Sequence, residues 1–359
     1  MKIFHYIISL FFQTLILIRE FLYTGGVFKK KTYKTYIISI GNLMVGGTGK
    51  TPTTAYISHC LQQQNIKHVV VSRGYKKKGK GTFIVQNINS QHLNDPKIVG
   101  DEPVLLSKKL LGVPIVVDSN KQIAIKTAIH KFKPQIVLLD DAFQSHYINK
   151  DIDLVLINSS DDLAKYQLLP LGLLREPLSS LRRASLVLFI NKNKENPKIK
   201  KYIQPFLQQY NIPTMNAITQ SQLYQYNPRS KKLTIKKSNT KIKEPVMIVA
   251  AIADPKPLIK TIQHICSNII SEYYFHDHFA YNIKNKKVQK LLYDINQYKK
   301  HNAQIGIITT LKDYVKIEHL SILKDPVVNI YVLDIDIRID KEEKFLNYII
   351  PENILNNNQ

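Results

Sequence analysis

SIGNLMVGGTGKTPTT, residues 39–54, is the stretch on which the fold turns. An apolar run ends at Ile40, glycines follow at 46, 47 and 49, and Lys50-Thr51 opens a helical stretch to Gln64. Strand, glycine-rich turn and helix together make the setting of a phosphate loop, where backbone N–H groups and a helix N-terminus face an anion. The lysine of such a loop reaches the β- and γ-phosphates, and the hydroxyl after it ligates Mg²⁺. The nucleotide contacts predicted here are Met44, Val45, Gly46, Gly47, Thr48, Gly49, Lys50 and Thr51, with Thr51 also a metal ligand. The pattern G-x-x-x-x-G-K-[ST] would place glycine at 44, where Met44 stands.

Working outward, Ile136–Asp141 (IVLLDD) is an apolar run ending in acid, the place of the Mg²⁺-associated aspartate in this kind of site. Asp140 and Asp141 are therefore the expected metal residues. A further run at Leu186–Ile190 leads into Asn191-Lys192-Asn193-Lys194. A guanine-specific site would read N-K-x-D, and lysine in the fourth place points to ATP. Short β-branched runs also occur at 36–40, 68–72, 115–117, 135–139 and 154–157, with helical stretches at 51–64 and 121–131. Strands alternating with helices predict a parallel sheet covered on both faces. Residues 191–243 are polar and lysine-rich and read as a connector, with LTIKK as an edge strand. A second α/β stretch follows through 246–251, 304–309 and 327–333, which puts a domain boundary near residue 240.

The chain has 359 residues, enough for two domains with cores of their own. An apolar content of 44% excludes disorder and collagen-like repeats. Two cysteines, Cys60 and Cys266, make no disulfide framework and suit a reducing compartment. The net charge is +24, yet only seven of the 51 basic residues are arginine, at 19, 73, 175, 182, 183, 229 and 338. Part of the excess reads as compositional drift and part as affinity for an anionic partner: nucleic acid, an acidic membrane or a phosphorylated substrate. No basic motif with interleaved aromatics supports nucleic acid.

Ile3–Ile18 reads IFHYIISLFFQTLILI. As a helix this run spans about 24 Å, short of a hydrocarbon core of roughly 30 Å, and extending it takes in Arg19 and Glu20. A signal peptide fits poorly, because Lys2 is the lone charge before the run and no A-x-A-like site follows. A buried helix and a membrane anchor both fit the length. Lys29, Lys30, Lys31 and Lys34, suited to anionic head groups, weigh for the anchor and leave the rest of the chain in the cytoplasm.

Three polar constellations remain. Asp101 and Glu102 open a predicted helix, where any acid gains from the helix dipole. Phe275-His276-Asp277-His278 offers either metal ligands or a proton acceptor, with no third ligand at a suitable spacing. Arg175-Glu176 and Arg182-Arg183 form either a solvated charged face or a phosphate contact, for which the planar guanidinium is suited.

These motifs, in this order, resemble the tetraacyldisaccharide 4′-kinase family. The matching stretches are SIGNLMVGGTGKTP, SRGY at 72–75, VGDEP at 99–103, DDAFQ at 140–144, LLPLGLLREPLSSLRRA at 168–184, AAIADP at 250–255, FHDH at 275–278 and TTLKDYVKI at 309–317. The resemblance implies an α/β chain. A membrane-anchor helix (1–24) precedes a P-loop NTPase-like parallel sheet flanked by helices (25–240), and a second, smaller α/β domain (241–359) contributes to the cleft. It further implies Mg-ATP-dependent phosphorylation of the 4′-hydroxyl of a tetraacylated glucosamine disaccharide 1-phosphate. The setting would be the cytoplasmic face of an anionic inner membrane, with the protein a monomer that binds no nucleic acid. Asp101 and His278 would be the catalytic dyad, with Lys50 also catalytic. Asp140 and Asp141 would serve Mg²⁺, and Gln144, Arg175 and Glu176 would lie near the transferring phosphate. Departures from the family pattern are Ala142 for glycine, Ser145 at the histidine position with His146 one place late, and Lys121 where an arginine is common. The rival is a membrane-associated ATPase switch of the partitioning type. Such loops carry lysine before the glycine pair, where Val45 stands.

Overall fold

The computed structural model describes residues 2–75, 77–86, 95–192, 195–227, 232–236, 241–252, 255–276, 279–301, 304–317, 320, 325 and 327–356. In chain order the elements begin with α1 (Lys2–Thr24), β1 (Tyr36–Asn42), α2 (Lys50–Gln63), β2 (His68–Ser72), β3 (Phe83–Val85), α3 (Pro96–Val99), α4 (Asp101–Lys109), β4 (Ile115–Val117) and α5 (Lys121–Phe132). They continue with β5 (Ile136–Asp140), β6 (Ile152–Asn158), β7 (Leu186–Asn191), α6 (Pro197–Gln209), β8 (Thr214–Asn227), β9 (Lys232–Ile235), β10 (Val246–Ala251) and α7 (Lys256–Ile265). The last are β11 (Ile269–Phe275), α8 (Lys286–His301), β12 (Ile305–Thr310), α9 (Leu311–Ile317), β13 (Val328–Ile339), α10 (Glu342–Ile349) and α11 (Glu352–Asn356).

The chain divides into two units. One holds residues 1–99, 106–219 and 337–359, the other 100–105 and 220–336. The second unit thus begins upstream of the expected boundary near 240. It also takes in the VGDEP turn, while the C-terminal helices belong to the first unit.

In the first unit the strands lie in the order β8-β7-β6-β1-β5-β2-β4-β3. All pair in parallel except β3, which is antiparallel to β4. Strands β2, β5 and β6 are buried along their whole length, as the covered strands of a parallel sheet must be. Their side chains feed two apolar clusters, one around Ile37, Val71, Ile125 and Leu139 and one around Val155, Phe189, Ile199 and Ile203. β1 is central, and its register sets Ile40 opposite Asp140. The glycine-rich turn and the acidic strand end therefore emerge side by side. Gly41 makes this approach feasible, since a Cβ there would meet the Phe143 Cβ at 2.6 Å and its N at 2.7 Å.

The expected connector at 191–243 contains α6, β8 and β9. Asn196 caps α6, accepting from the Lys198 N–H at 3.2 Å, and Pro197 takes the first turn. Ile199, Ile203 and Leu207 form its buried stripe, a helical period spread among lysines and glutamines. Leu233, Thr234 and Ile235 of this stretch fall on β9, antiparallel to β8.

In the second unit β11-β10-β12-β13 form a parallel set. Its core gathers Val249, Tyr273, Phe275, Ile307, Tyr314 and Val332, together with Leu105 of α4.

Candidate active site

Asn42, the last residue of β1, organises the phosphate loop. It is fully buried. Its Nδ2 donates to Thr48 Oγ1 at 2.5 Å, and its Oδ1 accepts from Lys50 Nζ at 3.3 Å and from Arg175 Nη2. Its carbonyl accepts from Gln144 Nε2 at 2.9 Å. One side chain thus fixes the turn, its lysine and an arginine from a distant segment. A polar residue closing an apolar strand just before a glycine turn was the available signal, and sequence reasoning assigned it no role.

Gly46 and Gly49 adopt φ of 104° and 97°, and Gly49 forms the N-cap of α2. A Cβ at Gly46 or Gly47 would meet nothing within 4 Å, so their exposed backbone faces open space. Met44 and Val45 are braced by the segment before Arg175: Val45 N–H donates to the Leu173 carbonyl at 2.9 Å, and Arg175 N–H to the Leu43 carbonyl at 2.7 Å. The LLPLGLLRE segment is in this way a strap along the loop, and it delivers Arg175. Lys192, which follows β7, donates to the Gly47 carbonyl. Asn193 and Lys194 lie outside the described residues.

Asp140 is buried at the end of β5 and accepts from Thr54 Oγ1 at 3.4 Å. Asp141 follows with φ of 47°, a left-handed conformation that side chains seldom adopt. Arg175 grips both of its oxygens, at 2.9 and 3.3 Å, and Lys50 Nζ lies 3.7 Å away. Burial works to raise the Asp141 pKa, but the Arg175 and Lys50 charges outweigh it and hold the carboxyl down to about 2. Lys121 donates to the Asp141 carbonyl. Burial pushes its ammonium down to about 8, against the pull of Asp141 and Asp140. The lysine at the place of the family's arginine therefore secures the unusual backbone at Asp141.

Among the described residues no group of three or more His, Cys, Asp or Glu gathers as a metal cage. Thr51, Asp140 and Asp141 are hard oxygen donors of the number Mg²⁺ takes when phosphates and water complete its shell, so the donor set fits that ion.

Glu176, Arg182 and Arg183 belong to a second charged cluster. Glu176 is fully buried and binds Arg19 Nη2 at 2.5 Å, His146 Nε2 at 2.9 Å and Arg183. Glu20, also buried, accepts from Arg183 at 2.9 Å and pairs with Arg182 at 3.2 Å. The Arg183 guanidinium lies over the Phe143 ring at 4.4 Å, and His146 stacks on Tyr23 at 5.7 Å. Both oxygens of Glu176 are engaged, one by Arg19 and His146 and the other by Arg183. The cluster docks α1.

Asp101 opens α4 in the second unit, with its Oδ2 2.8 Å from Lys316 Nζ. Asp277 and His278 lie outside the described residues. On either side of them Phe275, Phe279 and Tyr281 pack as an aromatic cluster, with Phe275 and Phe279 stacked at 4.4 Å.

Residues 1–352 match the tetraacyldisaccharide-1-P 4′-kinase family. The chain belongs to this family. The tetraacyldisaccharide 4′-kinase of Elusimicrobium minutum is 30% identical over 350 residues, covering 96% of this chain and 89% of the relative. That of Halothermothrix orenii is 32% identical over 346 residues, covering 92% and 87%. The fold is similar to the crystal structure of the Aquifex aeolicus enzyme in complex with ATP, with a TM-score of 0.74, 26% identity and 97% of each chain covered. The enzyme is accordingly a kinase of lipid A biosynthesis, and its α/β architecture is the P-loop type expected.

Two outcomes follow for this kinase. Asn42→Ala leaves Thr48, Lys50 and Arg175 without their shared partner, a loss of about 1–3 kcal/mol. Calorimetric titration should show the ATP Kd rising about 10- to 100-fold; an unchanged Kd would show that the loop holds its shape without Asn42. The second concerns His146, whose pKa burial depresses below 6.5, with Glu176 opposing and Arg183 reinforcing the shift. The unfolded chain then binds this proton more readily than the folded one. The contribution of His146 to stability is complete above the unfolded pKa and is lost as the pH falls through the folded value. Urea midpoints should drop between about pH 7 and 5, and His146→Gln should flatten that drop. Parallel curves for the two proteins would contradict it.

Proposed function

We propose that this enzyme transfers the γ-phosphoryl group of ATP to the 4′-hydroxyl of a tetraacylated glucosamine disaccharide 1-phosphate. The observation that carries the reading is the cluster of Asn42, Lys50, Asp141 and Arg175 around an open glycine turn. It presents backbone N–H groups and two cations where a triphosphate requires them. Lys50 and Arg175 would offset charge on the transferring oxygens, and Gly46–Thr51 would cradle the β- and γ-phosphates. Thr51, Asp140 and Asp141 would hold Mg²⁺, which when bound neutralises phosphate charge. Asp101 and His278 would act as the dyad that takes up the 4′-hydroxyl proton.

The setting we propose is the cytoplasmic face of an anionic inner membrane, with the enzyme a monomer. The support lies in α1, a helix apolar and long enough to cross a membrane and only 17% buried. Ile3, Phe4, Ile7, Leu10 and Phe11 are exposed along it, and exposed Lys29, Lys30, Lys31 and Lys34 follow. Arg19 and Glu20 pair with the protein at the far end of the helix, which favours a helix dipping into one leaflet over one that spans both.

The test is incubation of the full chain in detergent with γ-labelled ATP and a lipid disaccharide 1-phosphate. Label should enter the lipid; label in inorganic phosphate alone would refute the transfer. Asp101→Ala and His278→Ala should each lower kcat about 10²–10⁴-fold while ATP binding persists. Loss of ATP binding in both would make these residues structural.

A further inference from the structure

Asp101 and Lys316, remote in sequence, meet inside the second unit. Lys316 Nζ lies 2.8 Å from Asp101 Oδ2, and the two side chains are 5% and 18% exposed. Lys316 sits on α9, whose start is clamped. The Thr310 hydroxyl accepts from the Asp313 N–H at 3.1 Å and donates to Asp313 Oδ2 at 2.8 Å, a reciprocal capping pair. The same Oδ2 accepts from the Ala251 N–H at 2.9 Å, which ties α9 to the end of β10. Asp313 is fully buried, and Leu311, Tyr314 and Ile317 pack into the core of the unit. Lys316 lies three residues after Asp313, on the same helix face, and so projects from a fixed platform. On the other side Gly100, at φ 99°, turns the chain into α4, and Leu105 anchors that helix in the same core. Both partners of the ion pair thus stand on helices packed into one core.

A buried ion pair seldom stabilises more than apolar side chains of the same volume would, because desolvation offsets the attraction. What it does supply is orientation, since the ammonium holds a chosen carboxylate oxygen and with it the rotamer of the acid. We propose that Lys316 is the positioning residue of the phosphoryl transfer, fixing the Asp101 carboxylate for its encounter with the acceptor hydroxyl and its proton. This rests on the role of Asp101 proposed above. It also gives the KDYVK stretch at 312–316 a physical logic: Asp313 secures the helix and Lys316 aims the acid.

The test compares the full chain carrying Lys316→Met, Lys316→Arg, Asp101→Asn and the double change Lys316→Met with Asp101→Asn. Lys316→Met should lower kcat about 10- to 100-fold, the scale of a misplaced reacting group, with the ATP Kd and the KM for the lipid acceptor within about twofold of the parent. Lys316→Arg keeps the charge and should recover at least a third of the lost activity on a logarithmic scale. The double variant should be no slower than Asp101→Asn alone, since Lys316 acts through that carboxylate. It also removes the carboxylate charge that Lys316→Met deprives of its ammonium, so it remains measurable if Lys316→Met folds poorly. Additive losses in the double variant, or a rise in KM with kcat unchanged, would overturn the proposal. If Asp101→Asn is crippled while Lys316→Met works at the parental rate, the positioning role fails and the role of Asp101 stands. Full activity in Asp101→Asn would overturn both.

Discussion

The amide of Asn42 imposes the constraint on which the nucleotide side of this enzyme depends. A phosphate loop has many glycines and few side chains of its own to hold it, and two of its neighbours, Lys50 and Arg175, are cations that would repel one another in isolation. Asn42 Oδ1 accepts from both, and Asn42 Nδ2 secures Thr48. Asp141 supplies the negative charge between the two cations. The loop is thereby shaped before any anion arrives, so little of a ligand's binding energy is spent on ordering it.

The same strap that brings Arg175 to the loop continues into Glu176, whose side chain is committed to Arg19, His146 and Arg183. Consecutive residues therefore serve two sites, one at the phosphate loop and one under α1. Removing the buried Glu176 would be costly, because it leaves Arg183 and His146 without the carboxylate they share. The helix that exposes its apolar side is in this way fastened to the strap beside the phosphate loop, and Arg183 against the Phe143 ring ties the fastening to the core.

Much of this was legible in the chain. The strands at 68–72, 115–117 and 246–251 coincide with β2, β4 and β10, because fully buried strands read as unbroken apolar runs. α6 was hidden because its stripe of Ile199, Ile203 and Leu207 is diluted by lysine and glutamine, and β8 because few of its residues are buried. The arginines at 182 and 183 invited a phosphate reading; both meet Glu20 of α1, and Arg183 also meets Glu176. Periodicity and spacing carry no information on which acid a given arginine will meet.

By itself the sequence determined the class of the protein: a glycine loop between strand and helix, an acidic strand end, and a series of ordered motifs that resemble the tetraacyldisaccharide 4′-kinase family. Those features are local, set by residue type and spacing over a few turns of chain. Only the tertiary structure decided the partnerships: Asn42 with Arg175, Glu176 with Arg19 and His146, Asp101 with Lys316. Each joins segments far apart in the chain, and a carboxylate or guanidinium takes whichever counter-charge the packed backbone brings within about 3 Å.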